Sequence, residues 1–221
     1  CEPYLTADHR LMLEKGKEII IGIKILKKVL NIKNVFIGIE LNKLDCINHL
    51  SKLINHNDGI QIVPLKVKYP QGGEKQLIQA ITRREVPSGK LPADVGVVVF
   101  NVATTYAIYE AVQKNKPLID RIVTITGDHL QNPTNIRVRI GTPISKLIEA
   151  AGGLTDKIKK LIVGGPMMGR AIENPELPVI KGTSGIILFD ENRSLRKPQQ
   201  PCIKCSRCVQ SCPMHLEPYL L

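Results

Sequence analysis

Four cysteines near the C-terminus carry the strongest chemical signal in the sequence. Cys202, Cys205, Cys208 and Cys212 lie within 11 residues of one another and are followed by Pro213. This spacing is typical of thiolate ligands to a [4Fe–4S] cluster, because the short peptide wraps around the cluster and each thiolate reaches a different iron. Zinc sites usually pair two Cys-x-x-Cys units across a longer spacer, so the spacing favours a cluster over zinc. The run therefore predicts an electron-transfer centre.

Cys212 has two interpretations. In proteins with two such clusters, the fourth cysteine of the run ligates the other cluster. The sequence of 221 residues has no second triplet, so Cys212 either closes a single cluster or belongs to a second one whose other ligands lie elsewhere. We favour the second interpretation, because the ending MHLEPYLL is typical of the helix that separates two such motifs. The chain is then expected to be part of a longer protein.

The other candidate ligands have structural interpretations. Cys46 falls on a predicted helical face, where a buried free thiol is the default, and Cys1 is too far from the run to be assigned. His9 and His215 are interpreted as surface or supporting groups, not as ligands. The GGPMMG segment, residues 164–169, is predicted to be a flexible loop in which methionine packs adaptably.

Composition limits the classes of protein to consider. The net charge is +11, 43% of the residues are hydrophobic and 4% are aromatic, so an ordinary globular core is expected. The basic residues are scattered among apolar positions without a dense tract, and we expect no nucleic-acid binding. No apolar run approaches 18 residues, so no transmembrane segment is predicted. Cysteines clustered at one end favour a reducing compartment over a disulfide framework.

Apolar periodicity predicts strands that alternate with helices in the first half. One long helix is expected from Thr6 or Asp8 to Leu30. Further strands are expected at 35–40, 60–65 and, fully buried, 95–100, and further helices at 44–54, 74–83 and 104–113. This alternation predicts an α/β fold with a parallel sheet covered on both faces.

The pattern changes near Pro117 to that of a small α+β module. Short strands are expected at 121–128, 136–141, 160–165 and 185–189, and a helix at 145–153. A polar stretch, residues 190–200, then leads to the cysteines. The predicted domains are residues 1–117, residues 118–190, and residues 191–221, which combine a linker with a ferredoxin-like cysteine segment.

Several motifs, in a fixed order, resemble the C subunit of the Rnf complex, a membrane-associated ferredoxin:NAD oxidoreductase that couples electron transfer to ion translocation. They are CEPYLTADHRLMLE, YPQGGEKQLI, PADVGVVVFNVATTYAIYEAV, VGGPMMG and PCIKCSRC. The resemblance covers nearly the whole chain. It implies a Rossmann-like sheet of the type found in the FMN-binding 51 kDa subunit of complex I, followed by a β-grasp (SLBB-like) module.

The resemblance also implies where the cofactors bind. Glu2 matches the acidic residue beside flavin and nicotinamide, and Asn101 with Thr104 matches the turn that contacts FMN. The residues implied to line the flavin and the nucleotide are Tyr69, Gly72, Gly73 and Glu74. Glycine lets backbone approach a ring system, and ligands of open parallel sheets lie at the carboxyl ends of strands. Taken alone, the two glycines would indicate an ordinary turn and Asn101 a helix cap.

Two departures from the relatives bear on cofactor binding. Relatives in complex I have a second Glu after the residue that corresponds to Glu74, where this sequence has Lys75. The family's Gly-rich loop for the flavin phosphate lies before the CEPY motif, and without its N–H donors phosphate binding is incomplete. We therefore expect weak or no FMN binding, and an inactive apo form, for the chain on its own.

The implied partners are the other members of a membrane electron-transport complex, ferredoxin and NAD(H), at the cytoplasmic face of the membrane. The cofactors would be [4Fe–4S] clusters, two in the full-length protein, and FMN; no acid, base or nucleophile is predicted. One alternative is a soluble flavin and iron–sulfur corrin reductase of the same superfamily. Another is a non-catalytic scaffold with a zinc-binding cysteine knuckle.

Overall fold

The computed structural model describes residues 2–153, 156–195, 198–212 and 216–220. Cys1, Pro213 and His215, which entered the sequence predictions, lie outside these ranges. The helices are α1 (Ala7–Glu14), α2 (Gly16–Val29), α3 (Leu44–Ser51), α4 (Glu74–Thr82), α5 (Val102–Lys114), α6 (Ile144–Ala150), α7 (Glu191–Ser194) and α8 (Arg207–Ser211). The strands are β1 (Val35–Glu40), β2 (Ile60–Leu65), β3 (Asp120–Gly127), β4 (Thr134–Arg139), β5 (Ile158–Val163), β6 (Arg170–Ile172) and β7 (Gly185–Asp190).

A parallel sheet of β1 and β2 lies at the centre of the first half. On one face, the alternate residues of both strands join a core built mainly by α1, α2 and α3, in which Cys46 and Leu50 are fully buried. On the other face, Leu77 and Ile81 of α4 lie over Gly38 of β1. Helices therefore cover both faces of a parallel sheet, and the predicted α/β class is confirmed.

The predicted strand at 95–100 is wrong. A short 3-10 turn, Pro92–Val95, ends on Gly96, whose positive φ of 69° turns the chain. In the described part of the chain, β1 and β2 pair only with each other, and residues 97–100 join no ladder. Val98 and Phe100 are 48% and 42% exposed. β-Branched residues favour an extended backbone, but a strand also needs a partner for its hydrogen bonds.

The single long helix predicted from Thr6 or Asp8 to Leu30 is also wrong. The chain breaks at Lys15, whose φ and ψ of −127° and 29° are not helical, and α2 then begins at Gly16. A Cβ on Gly16 would meet the His49 and Leu53 side chains at 2.9 Å, so glycine allows close approach to α3. Because α1 and α2 bury apolar residues in the same core, the periodicity continues across the break.

The second half is an α+β unit with a mixed five-stranded sheet in the order β4-β3-β7-β5-β6. β3 and β7 are parallel neighbours, and the other pairs are antiparallel. Helix α6 packs on this sheet through Ile144, Leu147 and Ile148, over the fully buried Ile186 and Leu188 of β7. The module type is as predicted, and β6 was missed. The predicted domain limits at 117/118 and 190/191 stay a prediction.

Within the described ranges, no helix is both long and apolar enough to cross a bilayer. The longest, α2, has 14 residues and carries four lysines, whereas a membrane span needs about 20 predominantly apolar residues.

Candidate functional site

The cysteine loop is shaped by two residues in the left-handed region of backbone space. Lys204 and Ser206 have φ of 53° and 58°, and α8 begins directly after Ser206. The turn at Lys204 brings its N–H to the Cys202 Sγ at 3.4 Å. Backbone N–H groups that point at cysteine sulfur are among the features that tune an iron–sulfur cluster. The loop therefore supplies the thiols and, through the Lys204 N–H, a hydrogen-bond donor to the Cys202 sulfur.

The four thiols differ in environment. Cys202, Cys205 and Cys208 are exposed, whereas Cys212 is half-buried at the C-terminal end of α8. Tyr219, in the 3-10 turn Pro218–Leu220, interacts electrostatically with Cys202 and Cys208. The Tyr219 pKa is raised above its usual value, mainly by the negative charge of Glu217. Burial, a hydrogen bond with Glu217 and the charges of Cys202 and Cys208 contribute less.

The four thiols of the cysteine loop do not form a preassembled site for a single zinc ion. With Zn–S bonds of about 2.3 Å, tetrahedral geometry places zinc-bound sulfurs about 3.8 Å apart. Among the described residues, which include all four thiols, no three of them have Sγ atoms that all lie within 4.8 Å of one another. The Sγ atoms are therefore not preassembled around one zinc ion, and four thiols on one short loop are the donor set that an iron–sulfur cluster takes.

Glu2 is held by the loop at residues 164–169. Its Oε2 accepts hydrogen bonds from the backbone N–H groups of Met167 at 2.8 Å and Met168 at 3.2 Å. Gly165 has no Cβ, and a Cβ there would lie 2.0 Å from Oε2. The loop predicted to be merely flexible thus forms a backbone cradle for the carboxylate. Sequence reasoning missed this contact, which joins residues more than 160 positions apart.

The Tyr69–Glu74 segment connects β2 to α4. Gly73 is the N-cap of α4 with an extended backbone, and Glu74 begins the helix. Tyr69 is 43% exposed, and Gly72 and Glu74 are also exposed, while Gln71 is buried. The segment therefore presents an open surface next to a helix N-terminus.

Asn101 is the N-cap of α5 and also contacts α1. Its Oδ1 accepts from the Ala103 N–H at 2.8 Å, and its Nδ2 donates to Asp8 Oδ2 at 2.8 Å. Thr104 lies exposed in the first turn of α5. Within the described residues, no hydrogen bond joins the Tyr69–Glu74 segment to Glu2 or to Asn101. The structure thus attaches Asn101 to α1, and it leaves the two implied flavin segments without a direct polar contact.

A cavity of about 650 Å³ lies between α1 and the strands β3 and β4. Its polar lining includes Thr6, Arg10, Thr124, Asn135 and Arg137. None of the implied flavin residues lines it, and Thr104 lines only a neighbouring cavity of about 40 Å³. The large cavity has no sequence signal, because it forms where the two halves of the chain meet.

An ion network also joins the two halves beside this cavity. The Glu110 carboxylate of α5 accepts from Arg137 at 2.7 Å and from Lys116 at 3.2 Å. Asp120 accepts from the same two cations at 3.1 and 2.8 Å. Burial alone would raise the pKa of Glu110 and Asp120, but the hydrogen bonds and charges of Arg137 and Lys116 hold each pKa below its usual value.

Comparison with known families defines the class of protein. Residues 1–110 match the Nuo51 FMN-binding domain, and residues 122–171 match the SLBB domain. The fold resembles that of NAD+-reducing [NiFe]-hydrogenase, in the H2-reduced state, with a TM-score of 0.73 at 16% identity over 87% of this chain and 39% of that chain. The air-oxidized structure also gives 0.73. The chain thus has the complex I 51 kDa type of fold followed by an SLBB module, and the predicted fold class is confirmed.

Three curated relatives identify the family. The chain is 48% identical, over its full length, to the C subunit of the proton-translocating ferredoxin:NAD(+) oxidoreductase complex of Clostridium ljungdahlii. It is 48% identical over 99% of its length to the Na(+)-translocating counterpart of Acetobacterium woodii. It is 45% identical over its full length to the C subunit of the ion-translocating oxidoreductase complex of Rhodobacter capsulatus. The chain belongs to this family of C subunits, as its motifs indicated.

The chain spans about half the length of the curated relatives it matches. It covers 48%, 49% and 43% of the relatives from Clostridium ljungdahlii, Acetobacterium woodii and Rhodobacter capsulatus.

Proposed function

We propose that this chain is part of an electron-transfer subunit that passes electrons between NAD(H), FMN and [4Fe–4S] clusters. The observation that carries the proposal is the loop of Cys202, Cys205 and Cys208, with its N–H···S contact, in a chain that belongs to the C-subunit family. In the whole complex, in which this protein would sit peripherally at the cytoplasmic face of the membrane, this transfer would be coupled to ion translocation.

In this proposal, protein groups position and tune the cofactors. When bound, FMN links two-electron hydride chemistry to one-electron transfer, and clusters carry single electrons. The cysteine thiolates would hold iron, and the Lys204 N–H, which points at the Cys202 Sγ, would stabilise negative charge on that sulfur. Asn101 and Thr104, on α5, and Gly72 and Gly73, before α4, would offer the flavin polar groups and backbone free of side chains.

Glu2 would present its carboxylate beside the flavin and the nicotinamide. Its Oε1 makes no hydrogen bond among the described residues, while Oε2 is held by the Met167 and Met168 N–H groups. The loop would thus set where the negative charge lies relative to the nucleotide. With Lys75 in place of an acidic residue, nicotinamide recognition would rely more on Glu2 and Glu74.

The proposed partners are ferredoxin and the other members of the complex. The net charge of +11 favours docking to acidic surfaces, since complementary charge speeds encounter and fixes orientation. In the part of the chain that the structure describes, the cysteine loop is exposed, with Ile203 85% exposed, so a redox partner can approach the cluster closely.

The direct test is anaerobic reconstitution of the full chain with iron and sulfide, and separately with FMN. We expect bound iron and sulfide in near-equal amounts, with iron–sulfur absorption that bleaches on reduction. Binding of zinc without iron or sulfide would contradict the electron-transfer proposal and favour the zinc scaffold. A separate titration with FMN, in which binding is measured by the quenching of FMN fluorescence, tests the flavin residues independently of the cluster.

A further inference from the structure

A second group of potential metal ligands lies in the first half of the chain. The His9 Nε2 is 3.0 and 2.9 Å from the two carboxylate oxygens of Asp45. Ligand atoms of His9, Asp45 and Cys46 all lie within 4.8 Å of one another. Among the described residues, these are the only three histidine, cysteine or acidic side chains that meet this criterion. They share no residue with the cysteine loop or with the proposed flavin residues.

The packing of α1 on α3 holds these atoms together. Cys46 is fully buried in α3, and its Sγ donates to the backbone carbonyl of His9 at 3.5 Å. Asp45, in the first turn of α3, is fixed by the Cys46 N–H, which donates to Oδ1 at 2.8 Å. Both carboxylate oxygens face the His9 Nε2, with Oδ2 at 2.9 Å. The ligand atoms are brought together by the apolar core, from positions 36 residues apart in sequence.

We propose that His9, Asp45 and Cys46 form a mononuclear site for a divalent cation of the zinc class, with water as the fourth ligand. The His9 Nε2 and the Asp45 Oδ2 are 2.9 Å apart, and all three ligand atoms lie within 4.8 Å of one another, so modest side-chain movement would bring them to zinc bond lengths of about 2.0–2.3 Å. Nitrogen, oxygen and sulfur donors with one open position are a combination that zinc accepts. The ion would clamp α1 to α3.

The charges around the site allow a cation. Lys43 and Arg10 are positive groups whose charges act on Cys46, and each has an acidic partner: Glu40 at 3.0 Å and Glu14 at 2.6 Å. Metal binding would displace the thiol proton of Cys46 to solvent, and the Cys46 thiolate and the Asp45 carboxylate would then balance the charge of the divalent ion.

The test isolates the Cys46 thiol in the full chain. Cys1, Cys202, Cys205, Cys208 and Cys212 are replaced by Ser, which leaves Cys46 as the one thiol among the six cysteines. This metal-free protein is titrated with Co²⁺ and then with Zn²⁺. We expect one equivalent of Co²⁺ to bind with thiolate-to-cobalt charge-transfer absorption, and Zn²⁺ to displace it.

Three further variants decide whether the assigned ligands act. In the same background, Cys46→Ala should abolish the charge-transfer band, and His9→Gln and Asp45→Asn should each weaken binding at least about tenfold. The side chains of His9 and Asp45 are 27% and 53% exposed, so these two variants test the site even if Cys46→Ala fails to fold.

The matched control is His129→Gln, which removes a histidine 3.5 Å from Asp190 and should leave cobalt affinity unchanged. Circular dichroism verifies that each variant is folded. Two results would overturn the proposal: no charge-transfer band at millimolar Co²⁺ in the folded protein, or the same affinity after His9→Gln and Asp45→Asn. The reconstitution of the cysteine loop is a separate experiment, so failure of one proposal leaves the other intact.

Discussion

The carboxylate of Glu2 accepts a hydrogen bond of 2.8 Å from the backbone N–H of Met167. This contact joins the N-terminal end of the described chain to the loop at residues 164–169, in the α+β unit of the second half. The acidic residue implied to lie beside flavin and nicotinamide is therefore oriented by the SLBB part of the chain. A change in that loop is expected to move the Glu2 charge without altering any residue of the first half.

Gly165→Ala tests how closely Glu2 is held. Because the new Cβ would lie 2.0 Å from the Glu2 Oε2, the carboxylate or the loop must move. Overpacking of this kind is expected to lower the free energy of unfolding by about 1–3 kcal/mol, measured by urea denaturation. Gly182→Ala is the matched control, since a Cβ there meets nothing within 4 Å. Equal stability of both variants would show that Glu2 is not confined by the loop.

A double-mutant cycle separates the two roles of Asn101. Asn101→Asp retains an oxygen for the Ala103 N–H but replaces the donor to Asp8 with a like charge. We expect a loss of about 1 kcal/mol in unfolding free energy, restored when Asp8→Asn is added. Asn101→Ala removes the cap as well and should cost about 1–2 kcal/mol, which Asp8→Asn should not recover. Additive effects of Asn101→Asp and Asp8→Asn would contradict the contact.

The ion network of Glu110, Asp120, Lys116 and Arg137 predicts that the free energy of unfolding falls at acidic pH. Because the pKa values of Glu110 and Asp120 are lowered in the folded protein, their contribution is present above the unfolded pKa values and is lost as the pH falls below about 4. Arg137→Met removes one cation from both carboxylates. It should lower stability at pH 7 by about 1–2 kcal/mol, with Arg137 partly exposed, and flatten the decline between about pH 5 and pH 2.

The measurement is urea denaturation at a series of pH values. The control is Arg170→Met, in the short strand β6, because Arg170 forms no ion pair among the described residues. Its unfolding free energy should fall with decreasing pH as steeply as that of the unchanged protein. If Arg137→Met had the same acid dependence as the unchanged chain, the network would not be the source of the effect.

The cysteine loop predicts unequal roles for its thiols. If Cys212 belongs to a second cluster, Cys212→Ser should retain most of the iron and sulfide after anaerobic reconstitution, whereas Cys205→Ser should lose most of both. Cys212, the C-cap of α8, is half-buried whereas Cys202, Cys205 and Cys208 are exposed, and this contrast is consistent with the difference. Equal loss in the two variants would favour the other interpretation, in which Cys212 closes the single cluster.

Much of the fold could be predicted from sequence alone. Residues 35–40 and 60–65 were predicted as strands with the bounds that the structure has, because short β-branched runs lie between turn residues. The cysteine run predicts a cluster ligand set for the same kind of local reason, because a cluster needs thiolates at a spacing that one short peptide loop supplies, and that set stays a prediction. Cys46 was predicted to be a buried free thiol, and it is fully buried.

Other features depend on partners that are distant in sequence. The run at 95–100 has strand-forming residues, yet no neighbouring strand pairs with it among the described residues, and local preference alone cannot supply those hydrogen bonds. The helix break at Lys15 lies beside the close approach of Gly16 to the His49 and Leu53 side chains, and the uninterrupted periodicity gave no sign of it. His9 was interpreted as a surface or supporting group, because nothing in the sequence indicates its position beside Asp45 and Cys46.

The sequence by itself determined the α/β pattern of the first half, the α+β pattern of the second half and the family, and it predicts which thiols would hold iron, since these follow from periodicity and from spacing within short segments. Only the tertiary structure decided how Glu2 meets Met167, how Asn101 meets Asp8 and how His9 meets Asp45. The physical reason is that each pair joins separate elements. Their distance is set by how helices and sheets pack over two apolar cores, and no local sequence pattern records that packing.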